Sequence, residues 1–173
     1  MGSFVYCDLD GVMVDLKGHL TNLYGDLWKS YKDEIWEDIL FSYDKGEHLF
    51  FDAPKHPNAD RIMKFILNFC GKSKEVGPRS DICFISTCGH DNLKYQTAIT
   101  QDKAYWCHRY YPGIPLICVS RRQDKANYSA PGLVLIDDYQ KNRLEWIGAG
   151  GIALSPNWIL DIGSTTDWMG TKS

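Results

Sequence analysis

A chain of 173 residues suits one domain, or one domain carrying a modest insertion. With 44% hydrophobic and 24% charged residues, wholesale disorder, collagen and coiled coil are excluded. The net charge of -3, from 19 basic and 22 acidic residues, argues against a protein that coats nucleic acid through a broad basic face, and no apolar run approaches the roughly 18–20 residues of a membrane span.

In chain order, Phe4 to Leu9 reads as a short buried strand stopped by Asp10-Gly11. From Leu16 to Leu40 the pattern is helical. Leu20, Leu23, Tyr24, Leu27, Trp28 and Tyr31 recur at spacings of three and four, and Ile35, Trp36, Ile39 and Leu40 continue in a second short helix. Asp44 to Pro57 is expected to be a loop, with Phe50-Phe51 inside it. Asn58 is placed to cap a helix whose apolar stripe is Ile62, Met63, Phe65, Ile66 and Phe69. Gly71 to Asp81 is polar and expected to be exposed. Strands follow at Ile82–Thr87, Pro115–Ser120, Leu133–Ile136 and Ile152–Leu154, separated by helices over Asp91–Tyr111 and Tyr139–Ile147 and by a basic loop, Arg121 to Lys125.

Continuous apolar strands alternating with helices predict an α/β fold, a Rossmann-like parallel sheet flanked by helices on both faces. The segment between the first two strands is too long for a simple crossover. Residues 1–15 and 79–173 are therefore assigned to a core domain, and residues 16–78 to a small helical cap and its return segment. The part after Asn157, with Trp158 and Trp168, carries no readable signal.

Six cysteines, at 7, 70, 83, 88, 107 and 118, form no CxxC pair. They suit buried thiols in a reducing compartment better than zinc ligands or a disulfide framework. A strand begins too near the first residue to leave room for a leader, so a cytoplasmic location is expected. The five histidines, His19, His48, His56, His90 and His108, make no ligand cluster and read as surface or locally bonded residues.

In parallel α/β sheets ligands bind beyond the carboxyl ends of the strands. Here those ends carry Asp8, Asp10, Thr87, Asp137 and Asp138, with Lys125 between the third and fourth strands. Clustered carboxylates repel unless a cation intervenes, and Mg²⁺ is the hard, oxygen-seeking cation that such a set takes. A hydroxyl and an ammonium beside it then offer donors to phosphate oxygens. Asp8 and Asp10 lie two apart and can face one side, and Gly11 lets the chain turn away without a Cβ clash. One carboxylate can attack phosphorus, and the other can protonate the leaving oxygen.

These residues resemble the haloacid dehalogenase superfamily of phosphatases, with four motifs in order: Asp8-Leu9-Asp10-Gly11-Val12, Thr87, Lys125 and Asp137-Asp138. The resemblance implies Asp8 as nucleophile, Asp10 as general acid and base, and Thr87 and Lys125 as phosphate ligands. It also implies a Mg²⁺ site made by Asp8, Asp10 through its backbone carbonyl, and an acidic residue of the last motif, assigned to Asp137 with Asp138 and Gly11 supporting.

The chain looks closest to the 5′(3′)-deoxyribonucleotidases within that superfamily. DLDGVMVDL is similar to their DMDGVLADF, HLFFDAPKHPNA to GFFLDLEPIPGA, CFISTCG to VFICTSP, QDKAYWC to EKYAWV, and RRQDKA with LVLIDD to RDKT with LLIDD. The resemblance runs from Phe4 to about Asp138. It implies Lys103 as a second phosphate ligand, Cys88 beside the phosphate, and Leu16, Phe50 and Phe51 in a substrate pocket. Leu16, Cys88 and Gly89 depart from an aromatic, a Ser and a Pro of that family, which bears on base and sugar preference.

The expected function is a Mg²⁺-dependent phosphomonoesterase acting on nucleoside monophosphates, most readily deoxynucleotides. Two alternatives stand beside it: a phosphatase for nucleic-acid 3′ ends or a small sugar phosphate, and a nucleotide-binding module without turnover. The partner expected is a small-molecule nucleotide. A homodimer is allowed, and neither a membrane nor a stable nucleic-acid complex is expected.

Overall fold

The computed structural model describes residues 4–71, 81–89 and 92–164. Its centre is a five-stranded, wholly parallel sheet built from β1 (Val5–Asp8), β2 (Ile82–Thr87), β3 (Leu116–Val119), β4 (Val134–Ile136) and β5 (Ile152–Leu154), in the order β3-β2-β1-β4-β5. The helices are α1 (Leu16–Tyr24), α2 (Lys32–Asp44), α3 (Leu49–Asp52), α4 (Ala59–Cys70), α5 (Leu93–Tyr110), α6 (Gln140–Gly148) and α7 (Pro156–Ser164). The α/β reading and all five strands stand.

Side chains alternate across a strand, so each strand feeds two cores. Val5, Cys7, Ile82, Phe84, Val134 and Ile136 share one buried cluster with α4, α5 and Ile159 of α7. Tyr6, Cys83, Ile85 and Leu135 point the other way, against Trp146 of α6. The apolar positions Ala59, Ile62, Met63, Ile66 and Leu67 recur every three or four residues, which seats α4 on the sheet. Each large aliphatic side chain so buried contributes about 1.5–3 kcal/mol. Trp106 is also wholly buried, and its Nε1 donates to the Ala53 carbonyl at 2.8 Å, fastening α5 to the end of α3.

A third cluster lies above the strand ends. Leu20, Trp28, Ile39, Leu49 and Phe50 from the segment after β1 pack with Cys88 and with Ile99 of α5, and Leu16, Trp36 and Tyr43 lie at its edge. Helix α4 belongs to the sheet cluster instead, so of the segment expected to form a cap only α1 to α3 and the turn between α1 and α2 contribute to this third cluster.

Several local expectations need correction. The helical stretch from Leu16 is broken at Gly25, whose φ of +79° ends α1, and a 3-10 turn at Asp26–Ser30 follows. That break puts the two halves of the expected stripe out of phase: Leu20 and Trp28 are buried, while Leu23, Leu27 and Tyr31 are exposed. The loop from Asp44 to Pro57 contains α3, a single turn too short to show a period. Asn58 sits at the start of α4 without a side-chain capping bond; its backbone N–H donates to His56 Nδ1. The cap of α5 is Asn92, whose side chain accepts from the Lys94 amide. Residues 72–80, 90 and 91 lie outside the described residues, as do the core boundary at 79, His90 and Trp168. Asp81, expected to be exposed, is buried, and its carbonyl accepts from the Phe4 and Val5 amides. All six cysteines are thiols.

Candidate functional site

The strand order makes the site. The chain runs outward from β1 to β3, then returns to lay β4 on the other flank of β1. The direction reverses between β1 and β4, and in open α/β sheets that reversal marks the ligand-binding place beyond the carboxyl ends of the strands. Asp8 ends β1 and Asp137 follows β4, on neighbouring strands. After β1 the Leu9 carbonyl accepts from the amides of Val12, Met13 and Val14, at 3.1, 2.8 and 2.9 Å, folding Asp10 back over the strand end. Gly11 makes this possible with a φ of +85°. A Cβ there would lie 2.2 Å from Asp138 Oδ2, so both the backbone and the place of the Asp138 side chain favour glycine.

Two buried ammonium groups organise the carboxylates. Lys125, in the 3-10 turn Arg122–Tyr128 between β3 and β4, donates from Nζ to Asp8 Oδ1 at 2.8 Å and to Asp137 Oδ2 at 2.9 Å. Lys103, on α5, donates to Asp10 Oδ2 at 2.8 Å, Ser86 Oγ at 2.8 Å and the Thr87 carbonyl at 2.7 Å. Only 3% of Lys103 and 4% of Lys125 is exposed, so neither is a solvated surface charge. The lysines thus gather Asp8, Asp10, Thr87, Lys103, Lys125 and Asp137 into one neighbourhood.

Asp8, Asp137 and Asp138 each offer an oxygen within 4.8 Å of the others. Burial pushes the Asp8 carboxyl well above its usual range, against the pull of Lys125, and Asp137, Asp138 and Asp10 push the same way. Burial and Asp137 likewise raise Asp138, although its hydrogen bond with Asp8 opposes this. Burial works against the charge on Lys125, but Asp8 and Asp137 outweigh it and hold the ammonium protonated. Three carboxylates facing one ammonium leave an excess of negative charge on hard oxygen donors. That donor set fits a divalent cation of the Mg²⁺ type.

The two acidic residues after β4 play different parts. Asp137 is wholly buried; its Oδ1 accepts from the Tyr139 amide at 2.9 Å, and its Oδ2 from Lys125 and from Asn142 Nδ2 at 3.0 Å. Arg143 donates to its carbonyl at 2.8 Å. Both oxygens of Asp137 therefore already accept from protein donors, whereas Asp138 is exposed beside Asp8.

The remaining expected residues divide. Phe50 is buried in the cap with its ring centroid 4.7 Å from Lys103 Nζ, beside the site. Phe51 points away, packing under the Arg109 guanidinium at 3.9 Å and against Tyr105. Leu16 lies at the edge of the cap cluster. Cys88 is buried in that cluster, and its Sγ donates to the Val119 carbonyl at 3.3 Å. Thr87 is half-buried at the end of β2.

Trp36, which sequence reasoning placed only in a helix, reaches across to Gly89: a Cβ on that glycine would stand 3.2 Å from the Trp36 ring. Arg122, from the basic loop, is bound by Glu145 and by Asn142 Oδ1. Among the described histidines, His19 donates to the Leu49 carbonyl at 3.1 Å, and His48 pairs with Asp102.

No protein-family model and no curated protein matches the sequence. Among solved structures the chain is similar to a haloacid dehalogenase-like family hydrolase from Streptococcus pneumoniae, at 14% identity over 92% of this chain and 97% of that chain, with a TM-score of 0.45. It is also similar to a haloacid dehalogenase-like hydrolase from Burkholderia xenovorans, at 16% identity over 90% of this chain and 81% of that chain, again with a TM-score of 0.45. No helix among the described residues is long and apolar enough to cross a membrane.

Proposed function

We propose that this protein is a Mg²⁺-dependent phosphomonoesterase of the haloacid dehalogenase type, acting on nucleoside monophosphates. The observation that carries the reading is the convergence of Asp8, Asp137 and Asp138 within 4.8 Å, with Lys125 bridging the first two and Lys103 holding Asp10 beside them. The order and strand context of the four motifs support it independently.

In this reading Asp8, the carbonyl of Asp10 and Asp138 would hold the metal, with Asp137 beside them already accepting from Lys125, Asn142 and the Tyr139 amide. The bound cation would cancel charge between carboxylates and phosphate. An Asp8 oxygen attacks phosphorus, forming a P–O bond as the ester P–O bond breaks. Asp10 gives its proton to the leaving oxygen, then takes one from the water that splits the aspartyl-phosphate. Lys125 and Thr87 donate to the phosphate oxygens, and Lys103 exchanges its bond to Asp10 for one to phosphate. Phe50, whose ring lies by Lys103, and Trp36, edge-on to Phe50, would help exclude water from these groups.

Of the cations that would favour a nucleic-acid end, Arg122 is engaged by Glu145 and Asn142, which weakens that alternative. The test is release of inorganic phosphate from a panel of nucleoside monophosphates, sugar phosphates and 3′-phosphorylated oligonucleotides with Mg²⁺. Fastest turnover of nucleotides is expected, and Asp8→Asn should reduce it by at least about a thousandfold, or about 4 kcal/mol of barrier. Binding without turnover by the unaltered protein would replace this reading with the non-catalytic one.

A further inference from the structure

Beneath the cap lies a polar network that the proposed chemistry does not use. Asp102 is buried to 2% exposure on α5, one residue from Lys103. Its Oδ2 accepts from the Tyr43 hydroxyl at 2.6 Å and its Oδ1 pairs with His48 Nδ1 at 2.9 Å. The Tyr43 oxygen in turn accepts from the Phe50 amide at 3.2 Å, and the two rings stack with centroids 6.3 Å apart. The end of α2, the residue preceding α3 and Phe50 itself are thus tied, directly or through one hydroxyl, to a single carboxylate. Burial and the bond to Asp102 push the Tyr43 hydroxyl pKa up, so it stays a donor. A buried carboxylate is costly unless hydrogen-bonded, and here Tyr43 and His48, which bond its two oxygens, both come from the cap.

On the same turn of α5, Lys103 reaches the other way, to Asp10, Ser86 and the Thr87 carbonyl, and the Phe50 ring closes the circuit over its ammonium at 4.7 Å. We infer that Asp102 is a positioning residue: with Tyr43 and His48 it pins the cap to α5 and holds Phe50 over Lys103, so that cap closure and the anion site are set by adjacent residues of one helix. This rests on the reading of α1 to α3 as the cap of a phosphate site.

Hydrogen exchange and steady-state kinetics on the full chain test it together, comparing the unaltered protein with Tyr43→Phe and, as a second variant, Asp102→Asn. Backbone exchange at residues 43–52 should quicken by about tenfold, the loss of roughly one hydrogen bond to a charged group, while β2 exchanges as before. KM for a nucleoside monophosphate should rise by about tenfold with kcat much less altered. Turnover of p-nitrophenyl phosphate, which has no nucleoside for the cap to hold, should stay within about twofold.

Unchanged exchange at residues 43–52 in both variants overturns the inference. So does exchange that rises evenly along the chain, because that marks a residue of general stability. If the unaltered protein hydrolyses no phosphate ester, the proposed function falls, and the exchange measurement still decides the pin by itself.

Discussion

Gly11→Ala is the most discriminating perturbation of this site, because the molecule supplies its own control. The substitution carries two penalties. One is backbone strain: at a φ of +85° an L-residue costs about 1–2 kcal/mol, offset by about 0.4–1 kcal/mol from the stiffer unfolded chain, for a net loss near 1 kcal/mol. The other is local: the new methyl would stand 2.2 Å from Asp138 Oδ2 and 2.8 Å from its Cγ, so Asp138 must leave its place beside Asp8. Gly132 has nearly the same φ, +84°, and nothing within 4 Å of the same methyl. Gly132→Ala therefore carries the first penalty alone.

The assay is urea unfolding with and without Mg²⁺. At a cation concentration about 100 times Kd, the unaltered protein and Gly132→Ala should each gain about 2.7 kcal/mol. If displacement of Asp138 weakens the cation by 10–100-fold, the scale seen when metal sites are disturbed, Gly11→Ala should gain only about 0.4–1.4 kcal/mol. Equal gains in the two variants would refute the placement of Asp138 at the cation. No gain in any of the three proteins would refute the cation itself.

Lys125→Met should cost about 3–5 kcal/mol at neutral pH, measured by urea unfolding, because it strips the buried Asp8 of the ammonium bonded to it. Mg²⁺ should recover part of that loss, and a cost below about 1 kcal/mol would show the pair to be dispensable. Asp60 gives a pH test: the Lys55 ammonium and the Tyr111 hydroxyl hold its carboxyl below the usual range. A lowered folded pKa contributes stability above the unfolded value near 4 and loses it as pH falls through the folded value. Tyr111→Phe should therefore narrow the stability gap between pH 6 and pH 3, as read by thermal unfolding. The effect should be below about 1 kcal/mol, because most of the Asp60 side chain faces solvent.

The sheet was legible because its strands are short, wholly apolar and bounded by turns. Ile82–Thr87 and Ile152–Leu154 coincide with the expected spans residue for residue. The convergence of Asp8, Asp10, Thr87, Lys125 and Asp137 was legible for the same reason, since polar residues that end apolar strands have few places to go. What escaped is information that periodicity does not carry. Asp137 and Asp138 are adjacent and chemically alike, and only the positions of Lys125, Asn142 and the Tyr139 amide separate them. Phe50 and Phe51 sit in one helical turn, so one faces the site and the other Arg109.

The resemblance pointed to Lys103, and the spacing of α5 carries a second signal that it is buried. With Ile99, Trp106 and Cys107 it completes a three-and-four spacing of buried positions on α5, which a surface lysine would not occupy. No comparable cue marked Asp102, because its partners arrive from residues more than fifty positions away.

The placement of β4 has a consequence for how the molecule comes into being. Asp8 is made early, but its neighbour Asp137 and the ammonium that joins them are supplied only after three strands and most of the helices exist; Lys125 alone lies 117 positions downstream of Asp8. A growing polypeptide can therefore carry a nearly finished half-sheet and still have no reactive centre. Competence should switch on abruptly when the last inner strand zips onto β1. If the proposed function holds, truncation anywhere before that strand should yield a protein that is inert, and not merely slow.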